Sequence, residues 1–253
     1  MLTSEDLAAD LAAAVGGPEI YAVYQPQVSL ETGSIVAAEA LCRWEHPSYG
    51  DIDPETMIAV AERSGVIHAL GRRMLAEGLR AQAEWHESSR PWAVAVNVSP
   101  LQFADDSFAT HVAEEYRRRR AASGALIVEL TSDEAVDDPV VLAQLRSLGE
   151  IGVEVSLSGY GEGSLPFQSV PRPPLTEVKI PGRLVRSADG PALASLREAV
   201  TIAHDAGLRV VAEGVETLTH LDVAVELGCD RVQGFLIRHP DSEIAFPGSG
   251  APN

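Results

Sequence analysis

The chain has 253 residues, of which 45% are hydrophobic and 5% aromatic, and its formal net charge is −18. This charge argues against a nucleic-acid partner, because an acidic surface repels a phosphate backbone. Two cysteines, Cys42 and Cys229, are too few for a disulfide framework and lack metal-site spacing. The acidic start argues against a signal peptide, and the absence of a long apolar run argues against a membrane span. We therefore expect a cytoplasmic protein with reduced cysteines.

The first predicted elements are a helix and a hairpin. Residues 3–14 have a capping residue and acids in the first turn, which favour a helix. Two runs rich in β-formers, 21–30 and 35–44, follow on either side of a turn at Gly33. Their short separation predicts an antiparallel pair.

Beyond the hairpin, helical periodicity covers residues 54–63 and 67–87, and Pro54 suits the first turn of a helix. From residue 92 onwards, short apolar strands alternate with helices, which implies a parallel sheet buried on both faces. The predicted strands are 92–98, 126–130, 153–157, 177–180, 208–212 and 232–236, and the helices between them are one that ends at Arg120, 139–148, 191–206 and 218–227. With the hairpin these strands number eight, enough to close an α/β barrel.

The chain shows no linker, charge block or internal repeat that would divide it. One domain is therefore preferred to two. We assign residues 1–19 to an N-terminal helical segment, 20–245 to the barrel, and the Gly- and Pro-rich residues 246–253 to a loose tail.

Polar residues stand at the ends of several predicted strands, where barrel active sites are built. They are Glu39, Arg43, Asn97, Glu129, Lys179, Glu213 with Glu216 just beyond it, and Gln233. Leu41 lies between Glu39 and Arg43 at the end of the second strand. Carboxylate and amide oxygens in one cavity suit a hard cation such as Mg²⁺. The alternative is that each is an ordinary cap or loop anchor.

Lys179 stands out because it is the only lysine among 19 basic residues. A lysine inside an apolar strand of such an arginine-rich chain indicates a site residue, since the pKa of lysine can fall on burial. The alternative is a charge paired with one neighbouring glutamate.

The longer motifs resemble the EAL domain family, which hydrolyses the bacterial second messenger cyclic di-GMP. The resemblance rests on motifs that occur in family order from about residue 20 to 240: Tyr24-Gln25-Pro26, Glu39-Ala40-Leu41 with Arg43-Trp44 and His46-Pro47, Asn97-Val98-Ser99, Glu129-Leu130-Thr131, Val178-Lys179-Ile180, Ala212 to Thr217, and Gly228-Cys229-Asp230 with Gln233-Gly234. It implies a modified (β/α)8 TIM barrel whose first strand is antiparallel, in agreement with the predicted hairpin.

The resemblance also implies roles for individual residues. Glu39, Asn97 and Glu129 match ligands of a first metal, Glu213 matches a metal-associated acid, and Lys179 matches a residue that positions the attacking water. The resemblance assigns ligand binding to Gln25, Leu41, Arg43 and Gln233. Two metal ions about 3.5–4 Å apart would activate water and steady both oxygens in such an enzyme.

Several family ligands are absent here. The resemblance expects an Asp-Asp pair where this chain has Ser158-Gly159, an aspartate where it has Pro181, and an acid where it has Ser132. Glycine and proline offer no side-chain ligand, so a metal pair loses its main carboxylates, and we expect Lys179 and Glu213 to be vestigial. Glu162, on a glycine-rich loop, is the one nearby acid that would replace them.

Three functions follow from these departures. The first is a catalytically inactive cyclic di-GMP receptor that requires no cofactor, with Arg43 and Lys179 as phosphate partners. The second is a protein-interaction module for an unidentified partner, without nucleotide. The third is a weak phosphodiesterase that uses one weakly bound Mg²⁺ and yields pGpG. The resemblance also implies a homodimer, because the loop after the fifth strand helps form a dimer in the family. That loop is rewritten here, which argues against the dimer.

Overall fold

The computed structural model describes residues 4–130, 138–161, 174–188 and 190–242. Its centre is a closed eight-stranded barrel. The long hairpin of β1 and β2 forms one side, and the parallel strands β4 to β9 form the rest, with the short β3 added to β2 outside the barrel. The strands are β1 (Ile20–Ser29), β2 (Ile35–His46), β3 (Gly50–Ile52), β4 (Ala93–Val98), β5 (Leu126–Leu130), β6 (Glu154–Leu157), β7 (Glu177–Ile180), β8 (Arg209–Ala212) and β9 (Arg231–Val232).

The barrel closes through β1, which pairs antiparallel with β2 on one side and with β9 on the other. The predicted modified α/β barrel with an antiparallel first strand is confirmed. Helices cover the outside: α1 (Ser4–Ala14), α2 (Pro54–Ser64), α3 (Ile67–Glu87), α4 (Pro100–Phe103), α5 (Phe108–Arg118), α6 (Pro139–Glu150), α7 (Gly182–Arg186), α8 (Gly190–Asp205) and α9 (Leu218–Leu227). None of these helices is long and apolar enough to cross a lipid bilayer.

Local sequence explains where several helices begin and end. Asp53 caps α2 by accepting from the Thr56 amide, and Pro54 takes the first helical position, where a missing N–H costs no bond. Thr217 caps α9 through the His220 amide, and Gly228 ends that helix in the left-handed conformation.

The strands sort their side chains by alternation. Val178 and Ile180 of β7 face outward into the main core beneath the helices, whereas Glu177 and Lys179 face the barrel interior. A small cluster of Ala37, Ala93, Ala95 and Ile127 lies apart from that core. Cys229 is buried, Cys42 is half-buried, and both are free thiols.

Two predicted elements differ from the structure, and the short β3 was not predicted. The strand predicted over 232–236 is only Arg231–Val232, because the chain turns at Gly234 against the backbone of Val215. The helix predicted to end at Arg120 is two helices, and α7 was not predicted. The predicted tail, Ser132 and Glu162 lie outside the described residues.

Candidate functional site

The centre of the site is the ammonium group of Lys179, which is fully buried. Its Nζ lies 2.7 Å from Glu39 Oε2, 2.8 Å from both oxygens of Glu129 and 2.8 Å from Glu213 Oε1. Glu39 and Glu129 are themselves buried, whereas the Glu213 side chain is 28% exposed. The structure thus brings together the three carboxylates that the sequence suggested, around the single lysine. We name this group the carboxylate–lysine cluster.

Two amide side chains, Asn97 and Gln233, hold Glu39 from the other sides, and a third, Gln25, supports Gln233. Asn97 donates to Glu39 Oε1 at 2.6 Å, and Gln233 donates to Glu39 Oε2 at 2.8 Å. The same Gln233 amide group also donates to Gln25 Oε1 at 3.1 Å, and Gln25 in turn donates to the Arg238 carbonyl. These bonds fix the orientation of Glu39 within the barrel mouth.

Burial and charge shift the proton affinities of the cluster. Burial, followed by the neighbouring charge of Glu39, raises the pKa of Glu129 to about 8 against the opposing charge of Lys179. Burial would also raise the pKa of Glu39, but the charge and hydrogen bond of Lys179 lower it below its ordinary value. Burial would lower the pKa of Lys179, yet the carboxylates around it raise that pKa well above its ordinary value. These shifts keep Lys179 charged and Glu39 ionised, while burial makes Glu129 the carboxyl group of the cluster that holds a proton most readily.

Register and backbone packing place these side chains. Asn97 and Glu129 are directly paired on β4 and β5, so their side chains lie on the same face of the sheet. The loop that carries Glu213 packs tightly against two neighbours. A Cβ at Gly234 would lie 2.3 Å from Val215 N, and one at Gly182 would lie 2.8 Å from Gly214 Cα. Only glycine permits this approach, which holds the Glu213 loop against the barrel.

A cleft of about 330 Å³ opens beside the cluster at the mouth. Besides Glu39 and Glu213, it is lined by the predicted ligand-binding residues Gln25, Leu41 and Gln233. Phe235, which was not predicted from the sequence, also lines the cleft. This residue is 51% exposed, and its ring stacks on that of His239. The sequence signal that could have identified Phe235 is an aromatic residue directly after the Gln233-Gly234 motif.

Arg43 lies elsewhere. It lines a second, larger cavity of about 440 Å³ between β2, β4, α2 and α3, together with apolar residues such as Met57 and Leu70. Its guanidinium donates to the Cys42 carbonyl at 2.8 Å. Leu41 lines both cavities, so they are neighbours. Asn97, which donates to Glu39, lines the second cavity.

The expected role of Lys179 as a phosphate partner does not fit this arrangement. Lys179 lines neither of these two cavities, and carboxylates already surround its ammonium group. In this conformation a ligand phosphate cannot reach it, and Arg43 is the predicted cation that faces a cavity.

The structure also describes three positions at which the family resemblance expects a carboxylate: Ser158, Gly159 and Pro181. Ser158 Oγ donates to Glu129 Oε1 at 2.5 Å. Gly159 is in the left-handed conformation at φ 82°, and Pro181 is the residue before α7. None of these three residues has a carboxylate to offer.

The carboxylate–lysine cluster has the oxygen donors for a metal ion, but a cation of the protein already lies among them. Glu39, Glu129 and Glu213 each offer an oxygen within 4.8 Å of the others, the donor type that a hard dication prefers. However, the Lys179 ammonium lies among the same oxygens, so one ion could bind only if that lysine moved. The described residues therefore do not fit a pair of metal ions.

The fold and the site define a class: an α/β barrel with a reversed first strand and a buried acidic cluster at the carboxyl ends of its strands. The chain belongs to the family described as "EAL domain", whose sequence profile matches residues 8–240. The resemblance inferred from the motifs is confirmed.

Among curated relatives, the chain is 33% identical over 237 residues to the bifunctional diguanylate cyclase/cyclic di-GMP phosphodiesterase MucR of Pseudomonas aeruginosa, covering 91% of this chain and 34% of MucR. It is 32% identical over 246 residues to the oxygen sensor protein DosP of Escherichia coli, covering 96% of this chain and 31% of DosP. The chain thus spans about a third of the length of these relatives.

Solved structures agree with the fold. The PaMucR phosphodiesterase in complex with c-di-GMP aligns with a TM-score of 0.87 at 33% identity, covering 93% of this chain and 97% of that chain. The FimX EAL domain of Pseudomonas aeruginosa bound to c-di-GMP aligns with a TM-score of 0.85, covering 96% of this chain and all of that one. Because its identity is 18%, the FimX comparison supports the fold alone.

Proposed function

We propose that this EAL domain is a receptor that binds cyclic di-GMP and does not hydrolyse it. The observation that carries the proposal is that protein donors already satisfy the carboxylates that would hold metal ions. Lys179 contacts Glu39, Glu129 and Glu213, and Ser158 contacts Glu129 from the side where the family resemblance expects carboxylates. A dication in the cluster would have to displace the ammonium group.

The shape of the barrel mouth supports a ligand with two separated bases. The cleft beside the carboxylate–lysine cluster and the cavity that Arg43 lines are neighbours, because Leu41 forms part of both. Cyclic di-GMP has a guanine at each end and phosphates between them, so an extended molecule would place one base in each cavity. The relative MucR is named for activity on this nucleotide, which favours it as the ligand.

Charge is the main objection, since carboxylates repel phosphates. The raised pKa of Glu129 reduces the negative charge of the cluster, and the ammonium group of Lys179 offsets the charge of Glu39. Arg43 adds a cation beside Leu41 and Asn97, where it can reach a phosphate at the boundary of the two cavities. No metal ion is needed for this binding; at most one Mg²⁺ would bind weakly.

Calorimetry with cyclic di-GMP, run with Mg²⁺ and again with a chelator, tests the proposal, while chromatography of the same samples detects pGpG. We expect equal binding in both buffers and no product. R43A should weaken binding, whereas the matched control R146A, on the exposed face of α6, should not. Rapid Mg²⁺-dependent formation of pGpG would show a phosphodiesterase instead.

A second candidate is a protein-interaction module. Leu218 and Val225 lie seven residues apart on the same face of α9 and are 69% and 58% exposed. Exposed aliphatic residues at such spacing favour contact with a protein surface, either an unidentified partner or a second copy of the chain. Absence of nucleotide binding in the calorimetry would favour this function over the receptor.

A further inference from the structure

A second polar group lies at the end of the barrel opposite the carboxylate–lysine cluster, and one of its members, Glu177, is fully buried. Glu154, Glu177, Arg209 and Arg231 are the first residues of the successive strands β6, β7, β8 and β9. Glu177 Oε2 accepts from Arg231 Nη1 at 3.0 Å and from Arg209 Nε at 3.3 Å. Arg209 also pairs with Glu154. We name these four residues the base cluster.

Glu177 is fully buried, but only one of its two oxygens is used by this cluster. Among the residues that the structure describes, Glu177 Oε1 has no hydrogen-bond partner, and neither does Ser156 Oγ. Ser156 is also fully buried. Two unsatisfied polar atoms in one barrel interior would each lose their hydration on folding without compensation.

The two atoms are neighbours in the sheet. Ser156 and Glu177 are directly paired in the register of β6 and β7, so both side chains point to the same side of the sheet. Their neighbours Val155 and Val178 belong to the outer core, which places Ser156 and Glu177 on the inner side. Ala37 of β2 and Ala95 of β4 belong, with Ile127, to a small cluster that lies apart from the outer core.

The geometry points to a bound water molecule between Ser156 Oγ and Glu177 Oε1. Water fits because it can donate one proton to the carboxylate and exchange a second hydrogen bond with the hydroxyl group, and buried waters typically bridge such otherwise unsatisfied atoms. Ser156 Oγ and Glu177 Oε1 are both inaccessible from the surface. A ligand larger than water therefore could not reach them.

This water site would lie beside a polar connection that runs from the base of the barrel to its mouth. Arg231 Nη1 lies 3.5 Å from Gln27 Oε1, and Gln27 donates to Gln233 at 3.2 Å. Gln233 then donates to Glu39 of the carboxylate–lysine cluster. On the other side, Ser156 is the register partner of Glu129. The water would therefore sit between two polar groups that the sequence places far apart.

A high-resolution crystal structure of the whole chain tests the inference directly. We expect one spherical density peak within about 2.7–3.2 Å of both oxygens. A direct hydrogen bond between Ser156 and Glu177, or an interior without such a peak, would overturn it.

The variant S156A gives a second, independent test through the sign of its effect. If Ser156 holds a water, its removal leaves Glu177 Oε1 unpaired, and the denaturation midpoint falls. If the hydroxyl is merely unsatisfied, its removal raises that midpoint, which would also overturn the inference. S147A, on an exposed position of α6, is the matched control and should leave the midpoint nearly unchanged.

Discussion

Lys179 Nζ lies 2.8 Å from each carboxylate oxygen of Glu129, and both side chains are almost completely buried. A buried ion pair of this kind is poor evidence of extra stability, because desolvation opposes the attraction. Removal of one partner, however, destabilises the protein strongly, because the remaining buried charges then have no counterion. The site should therefore respond strongly to single substitutions.

The first prediction concerns the removal of the lysine. K179M leaves Glu39, Glu129 and Glu213 without their shared cation, and we expect the free energy of unfolding to fall by about 3–5 kcal/mol. Chemical denaturation with and without Mg²⁺ measures this. Mg²⁺ should raise the midpoint of K179M more than that of the wild type, because the ion can then take the place of the ammonium group. An equal response of both proteins would contradict this account.

The second prediction is a pH dependence linked to Glu129. Its pKa is about 8 in the folded protein against an ordinary value of 4.5, so between these values the native state keeps a proton that the unfolded chain releases. The stabilisation linked to this proton is fully present below pH 4.5 and is lost as the pH rises through about 8. Denaturation measured across this range should show a smaller loss for E129Q, which has no proton to release. Infrared spectra at pH 7 should show a protonated carboxyl band that E129Q lacks; identical spectra would count against the raised pKa.

The third prediction concerns the loop that carries Glu213. In G234A the new Cβ would lie 2.3 Å from the backbone of Val215, so the loop must move, and we expect a loss of about 1–3 kcal/mol in stability. G149A is the matched control, because nothing lies within 4 Å of a Cβ at that position near the end of α6. There the substitution should stabilise the protein by about 0.5–1 kcal/mol. Similar effects in the two variants would argue against the close packing of the loop.

The fourth prediction restores a carboxylate at a position where the family resemblance expects one. S158D replaces the hydroxyl group that donates to Glu129 with a like charge, so the denaturation midpoint in a chelating buffer should fall. Addition of Mg²⁺ should recover most of the loss, because four carboxylates then surround the ion. S147D, on the exposed side of α6, should show neither effect. A midpoint that Mg²⁺ does not change would indicate that the site cannot hold the ion even with this ligand.

Much of the fold could be read from the pattern of residues. The strand Glu177–Ile180 and the helix Leu218–Leu227 have the predicted bounds, because alternation and capping residues are local signals. The last strand could not be predicted in this way. Its apolar run continues to Leu236, but the approach of Gly234 to Val215, which ends the strand, is a contact between distant segments.

The sequence by itself determined which predicted strands end in polar residues, because those residues interrupt otherwise apolar runs. It also identified the single lysine and the three glutamates. Only the tertiary structure decided that Lys179 meets Glu39 across 140 residues, that burial there makes it inaccessible to a phosphate, and that Arg43 lies in a separate cavity. The physical reason is that strand alternation places a residue on one face of the sheet, whereas closure and stagger of the whole barrel determine which interior residues contact each other.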